Sequence, residues 1–173
     1  MTEFVLAGGC FWCLDSAYSQ FRGIDDVTCG YTGGKNANPT YEQVCEGNTD
    51  HAEVVSIRFE ESVISANDIL DIFFTLHDPT QLNRQGNDIG TQYRSAIFTT
   101  TPEQMIDAVN TRDIYEAELK KFGISEIVTE IQEVGEYKYW IAEEYHQRYL
   151  EKNPNGYDCH SSTGIEFPMA AHE

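Results

Sequence analysis

The sequence predicts an α+β fold, a two-layer sandwich in which helices pack on a mixed β-sheet. Three observations predict it. Strand-like and helix-like segments alternate only loosely, with no sustained βαβ repeat, which disfavours a doubly wound parallel sheet. Apolar residues recur at a two-residue period in some segments and at three- and four-residue spacing in others. The chain has 173 residues and is 40% hydrophobic, enough for one core. It contains no internal repeat or linker, so residues 1–173 are expected to form a single domain, with 160–173 as a surface tail.

The elements follow in order. Phe4 to Ala7 is an apolar run and reads as the first strand. Gly8-Gly9 then leads into a helix over Phe11 to Phe21, where Phe11, Leu14, Ala17, Tyr18 and Phe21 share one face. Ile24 to Tyr31 reads as a second strand. It enters Thr32 to Pro39, a loop dense in turn residues. Thr40 to Glu46 suits a short helix, and His51 to Phe59 a strand. The two-residue period puts Glu53, Val55, Ile57 and Phe59 on one face of that strand. Ser65 caps a helix to Leu76, with Asp68 at the capping-box position. The polar stretch His77 to Gln92 follows, longer than most loops in a compact domain and therefore a functional candidate. Tyr93 to Thr100 reads as a strand. Thr101-Pro102 starts a helix to about Lys121, Ile124 to Val134 a strand, and Tyr139 to Lys152 a last helix stopped by Asn153-Pro154-Asn155-Gly156.

Composition excludes several function classes. The net charge of −18 argues against nucleic-acid and anionic-membrane partners, which need a basic footprint. No run approaches the length of a membrane span. Met1-Thr2-Glu3-Phe4 lacks the basic, apolar pattern of a signal peptide, so a cytoplasmic location is expected. The five cysteines, Cys10, Cys13, Cys29, Cys45 and Cys159, are odd in number and irregular in spacing. In a cytosolic protein such thiols point to catalysis, redox chemistry or metal binding.

Residues 8–13, Gly-Gly-Cys-Phe-Trp-Cys, carry the strongest functional signal. They put Cys10 where a strand ends and a helix begins. Unpaired N–H groups at a helix start favour the thiolate, the reactive form of sulfur. Phe11 and Trp12 offer an aromatic surface to an apolar ligand. Glu53 ends an otherwise apolar strand face. If it points inward, burial raises its pKa and makes it a proton donor; the plain alternative is a strand-end carboxylate in water. Tyr41, Tyr93 and Asp88 lie in or beside the two polar loops and could orient an oxygen. Three chemistries fit these residues. One is nucleophilic redox catalysis by Cys10, with Glu53 as acid and Cys13 or Cys159 as second thiol. Another is a thioredoxin-like dithiol, Cys10-Phe11-Trp12-Cys13. The last is a zinc site from Cys10, Cys13, Cys159 and His160, which the adjacency of the last two makes awkward. His146 reads as a hydrogen-bonded residue of the last helix.

Taken with Gly30-Tyr31-Thr32-Gly33-Gly34, Pro39-Thr40-Tyr41, His51-Ala52-Glu53 and the Asp78 to Tyr93 loop, Gly9-Cys10-Phe11-Trp12 closely resembles the A-type peptide methionine sulfoxide reductases. The match runs over residues 3 to 160, with several rare strings in the family's order. The resemblance implies a ferredoxin-like core and reduction of the S epimer of free and protein-bound methionine sulfoxide. It implies Cys10 as nucleophile and Phe11 and Trp12 as the pocket for the S-methyl group. Glu53 is then the acid that protonates the oxygen, Tyr41 and Tyr93 its hydrogen-bond donors, and Asp88 an organising carboxylate. It further implies a Cys10 sulfenic acid, its resolution to a disulfide, recycling by thioredoxin, no cofactor or metal, and a monomer.

The chain departs from the family pattern at two positions, having Cys13 where Gly is common and Asp15 where Glu is common. Many members carry two cysteines near the C-terminus; here only Cys159 follows Cys45. Cys159 matches the family's recycling segment and is expected to resolve first. Cys13 then takes over the disulfide. Cys29 and Cys45 are expected to be structural.

Overall fold

The computed structural model describes residues 2–35, 37–124, 126–133, 139–153 and 162–168. Among these, six strands form one sheet in the order β7-β6-β1-β3-β2-β8. They are β1 (Thr2–Ala7), β2 (Ile24–Thr32), β3 (Ala52–Phe59), β6 (Ala96–Thr99), β7 (Glu130–Glu133) and β8 (Trp140–Ile141). Only β6 and β7 pair in parallel, so the sheet is mixed. A small ribbon, β4 (Arg84–Gln85) with β5 (Asp88–Ile89), stands apart. The helices are α1 (Phe11–Tyr18), α2 (Tyr41–Cys45), α3 (Ala66–Leu76), α4 (Pro102–Lys121) and α5 (Tyr149–Lys152).

The inner strands, β6-β1-β3-β2, with α1 between β1 and β2 and α3 between β3 and β6, make the ferredoxin-like core. Period-two burial drives it. Val55, Ile57 and Phe59 of β3 face the helices and join Phe4, Leu6, Phe11, Leu14, Ile69, Phe73 and Phe74 in the main core. The alternate residues Val5, Ala7, Ala52, Val54, Ala96 and Phe98 form a second cluster on the opposite face, with Tyr139 packed on it. Capping boxes start α2 at Thr40 and α3 at Ser65, and Pro102 opens α4 behind the Thr101 cap.

The structure corrects several expected boundaries. The first helix ends at Tyr18, where Ser19 closes it by bonding back to the Asp15 carbonyl, and Phe21 is left exposed. Residues 91–93 are a 3₁₀ turn, so the following strand begins at Ala96. The strand expected over Ile124 to Val134 is confined to Glu130–Glu133, because the Val128 N–H turns away to the Pro79 carbonyl; Val134 lies outside the described residues. Within the loop from His77 to Gln92, Arg84 and Gln85 pair with Ile89 and Asp88.

The last helix is the largest correction. The stretch from Tyr139 to Lys152 is broken into β8, a 3₁₀ turn over Glu144–His146, and α5. The edge of β2 competes for this segment. Tyr31 and Gly30 pair with Trp140 and Ile141, and the Gln147 side chain bonds both the N–H and the C=O of Cys29 as another strand would. Gly30 makes the approach possible, since a Cβ there would lie 2.5 Å from the Tyr139 ring.

Candidate active site

β1 runs up the middle of the sheet and delivers Cys10 to its end. Gly9 makes the turn with φ of 88°, and a side chain there would meet Gln85 at 2.9 Å. Cys10 is the N-cap of α1 in extended conformation, with its sulfur side chain making no capping bond. The thiol therefore sits where the first N–H groups of the helix point outward. It is buried, at 7% exposure.

Glu53 points inward. It is 1% exposed at the end of the apolar face of β3, and its Oε1 accepts the Phe11 N–H at 3.3 Å. Oε2 is buried with no hydrogen-bond partner among the described residues. Burial pushes the Glu53 carboxyl up to about 8, the Phe11 N–H opposes this, and the nearby Asp88 charge adds to it. The group is thus a neutral acid at pH 7 with one oxygen anchored and the other unclaimed.

Two phenols approach the same point. Tyr41 opens α2 and Tyr93 closes the 3₁₀ turn after the β4–β5 ribbon. Burial raises the pKa of both, and in both the neighbouring Glu53 is the next cause. Cys10 also acts on Tyr93. Both therefore stay protonated and able to donate. Asp88, in β5, faces this group from the ribbon.

An aromatic slot lies alongside. Phe11 is fully buried, stacked with Tyr41 at a ring separation of 6.3 Å. Trp12 stacks on Tyr149 at 3.8 Å and on Tyr41 at 6.4 Å. Its indole N–H donates to His146 Nδ1 at 3.0 Å. Burial pushes the His146 imidazole down, with Glu143 opposing, so the ring is neutral and carries its proton on Nε2. Glu143 ties the slot to the sheet. Its carboxylate accepts from the Tyr31 hydroxyl at 2.9 Å and the Tyr41 N–H at 3.0 Å. Burial alone would raise its pKa, but these bonds outweigh it and hold the carboxyl down.

The structure thus gathers Cys10, Phe11, Trp12, Tyr41, Glu53, Asp88 and Tyr93 from five separate stretches. A thiol, a neutral acid and two phenols converge beside an apolar slot. That set suits attack on a soft centre whose departing oxygen must be protonated. The family model for peptide methionine sulfoxide reductase matches residues 2–170. The chain belongs to the peptide methionine sulfoxide reductase family. The peptide methionine sulfoxide reductase of Nautilia profundicola is 50% identical over 159 residues, covering 92% of this chain and 88% of that one. Methionine sulfoxide reductase A of Corynebacterium diphtheriae superposes with a TM-score of 0.87 at 36% identity, over 96% of this chain and 82% of that one. The reduced form of Mxr1 from Saccharomyces cerevisiae gives 0.82 at 37% identity, over 93% and 91%. Mxr1 is also known in complex with Trx2, a likeness of fold at a TM-score of 0.58 and 23% identity, over 93% and 88%.

In this methionine sulfoxide reductase Cys13 is half-buried on α1, one turn from Cys10, whose carbonyl accepts the Cys13 N–H at 3.2 Å. Cys29 is fully buried beside Asp15, and Cys45 is exposed at the end of α2. Cys159 and His160 lie outside the described residues. Sequence reasoning missed Glu143 and Tyr149 and gave His146 to a helix. The Trp12–His146 bond spans 134 positions. No local spacing announces such a contact. Asp15 is 1% exposed and accepts the Arg148 N–H at 2.8 Å, fastening α1 to the start of α5.

Proposed function

We propose that the chain reduces the S epimer of methionine sulfoxide, free and in proteins, through a Cys10 sulfenic acid that is resolved to a disulfide and recycled by a thioredoxin. The observation that carries this reading is Glu53, a buried acid held on the Phe11 N–H directly after Cys10, with a pKa of about 8 and an unclaimed second oxygen.

The Cys10 thiolate attacks the sulfoxide sulfur, and a Cys10 S–S bond forms as the sulfur–oxygen bond is loosened. Oxygen departs only once protonated, and Glu53 supplies that proton while Tyr41 and Tyr93 hydrogen-bond the oxygen. Burial keeps the acid's pKa high, and the Asp88 charge adds to it. The S-methyl group lies between Phe11 and Trp12, where apolar contact selects it over a polar substituent. Transfer of the oxygen, as hydroxide, to the Cys10 sulfur releases methionine and leaves the sulfenic acid. Cys159 attacks that sulfur, water leaves, and a Cys10–Cys159 disulfide forms. Cys13 then displaces Cys10 from Cys159. The complex of Mxr1 with Trx2 supports a thioredoxin as the reductant of the final disulfide.

The test uses the reduced protein with excess methionine S-sulfoxide and no reductant. One or two equivalents of methionine are expected, with Cys10–Cys159 or Cys13–Cys159 bonds found by mass spectrometry. Absence of methionine release, with all thiols still free, refutes the reading.

A further inference from the structure

The turn that delivers Cys10 is braced from two sides. Gly8 lies against the ring of His77, the C-cap of α3, and a Cβ on Gly8 would stand 3.0 Å from His77 Cγ. His77 is buried, and both of its ring nitrogens are engaged. Nδ1 faces the Phe73 carbonyl at 2.7 Å, which can only accept, so Nδ1 carries a proton. Nε2 meets the Ser95 hydroxyl at 2.7 Å, and Ser95 continues to Thr129 Oγ1 at 2.7 Å. This brace is anchored in buried structure. The other brace is the stem of Gln85, whose Cγ and Cβ would lie 2.9 and 3.0 Å from a Cβ on Gly9.

Gln85 differs from the rest of its ribbon. Of Arg84, Gln85, Asp88 and Ile89 it is the buried residue, at 2% exposure. Its amide closes on both backbone groups of Asp78. Oε1 accepts the Asp78 N–H at 2.9 Å, and Nε2 donates to the Asp78 carbonyl at 2.6 Å. Asp78 follows His77 directly, so the two braces are joined through one peptide bond. The Asp78 carboxylate is itself engaged, accepting from the Thr80 N–H at 3.0 Å and the Gln81 amide at 3.1 Å. Across the ribbon Gln85 pairs with Asp88, and the Gly90 N–H on the Asn83 carbonyl at 3.0 Å leads the chain on to Tyr93. One side chain thus links the residue before Cys10 to the ribbon that presents Asp88 and Tyr93.

We propose that Gln85 is a positioning residue for the reductase step: with its amide clasped on Asp78 and its stem against Gly9, it sets the distance from Cys10 to Asp88 and Tyr93. The proposal rests on the function proposed above, in which those two side chains act around the sulfoxide oxygen. Both polar atoms of Gln85 are spent on Asp78, so it acts through the turn and the ribbon. Reacting groups held at the wrong separation lose rate steeply. The aromatic slot of Phe11, Trp12 and Tyr149 comes from α1 and α5 and does not depend on the ribbon.

Gln85→Met keeps the stem against Gly9 and removes both bonds to Asp78. Gln85→Asn keeps the amide and shortens its reach, and it reads the same test if the first variant folds poorly. Both are compared with the parent in single turnover with methionine S-sulfoxide over a range of concentrations. Ser65→Ala, which loses only the α3 capping box, serves as a destabilised control. The maximal rate of methionine release is expected to fall about ten-fold in Gln85→Met and less in Gln85→Asn. Amplitude and half-saturating concentration should stay at the parent's values, and Ser65→Ala should keep the parent's rate. The parent's rate in both Gln85 variants overturns the proposal. So does a lower amplitude at the parent's rate, which means loss of folded protein, and so does an equal fall in Ser65→Ala. A raised half-saturating concentration at the parent's maximal rate moves Gln85 to the substrate slot and overturns it too. A parent that releases no methionine overturns the proposed function instead, so the two failures are distinct.

Discussion

On the proposed mechanism Glu53 acts only while it is protonated, so its pKa sets the alkaline limit of the reductase step. The rate of methionine release in single turnover is expected to fall as pH rises through about 8. Glu53→Gln should lower that rate by about 10²-fold or more and remove the alkaline limb. The same pKa has a stability consequence of determined sign. The carboxyl titrates near 4.5 in the unfolded chain and near 8 in the folded one. Between those values the native state binds the extra proton, so its contribution is fully present below 4.5 and is lost as pH rises toward 8. Glu53→Gln does not titrate. Its melting temperature relative to the parent is therefore expected to rise between pH 5 and pH 8, and a constant difference would remove the buried-acid account. Trp12 is held through its indole nitrogen as well as its ring. Trp12→Phe leaves His146 Nδ1 without its donor, a loss of about 1 kcal/mol. KM for methionine sulfoxide should rise several-fold with little change in kcat.

At the scale of elements, two capped helices separate stability from function. Thr40 and Ser65 both make capping boxes, and replacing either with Ala costs about 1 kcal/mol. α2 presents Tyr41, whereas α3 presents core residues. Thermal melts of Thr40→Ala and Ser65→Ala should shift alike, while only Thr40→Ala lowers kcat/KM. The elements that sequence reasoning read well are those whose burial is local. The two-residue period puts Glu53 on the apolar face of β3 with Val55, Ile57 and Phe59, and the fold then turns it inward, while Ser65 with Asp68 marks the start of α3. The elements it misread are governed by distant partners. The helical spacing in Tyr139 to Lys152 is real, yet the open edge of β2 takes Trp140 and Ile141, and Glu143 and Gln147 are drawn to Tyr31 and Cys29. The same partners explain the site. Cys10, Phe11, Trp12, Glu53, Tyr41, Tyr93 and Asp88 were legible as motifs. His146, Glu143 and Tyr149 were not, because their meaning lies in contacts that only the folded chain creates.

At the scale of the molecule, 29 acidic residues against 11 Lys and Arg give a net charge of −18. Among the described residues most ion pairs are exposed, such as Lys35–Asp50 and Lys152–Glu144, and such pairs offset little of the mutual repulsion. Salt screens that repulsion, so the melting temperature is expected to rise between about 10 mM and 0.5 M NaCl. A flat profile would mean that the acids are spaced too widely to repel. The same excess of charge gives new meaning to the bond between Glu53 and the Phe11 N–H. If the proposed mechanism holds, one helix start serves two anions, the sulfur of Cys10 and the carboxylate left when Glu53 gives up its proton. On the proposed mechanism one charge vanishes from sulfur as the other appears on oxygen. On that mechanism the pocket is a relay of a single negative charge, handed from α1 to β3 and back with each turnover, and a protein already crowded with anions would complete its chemistry without burying one more.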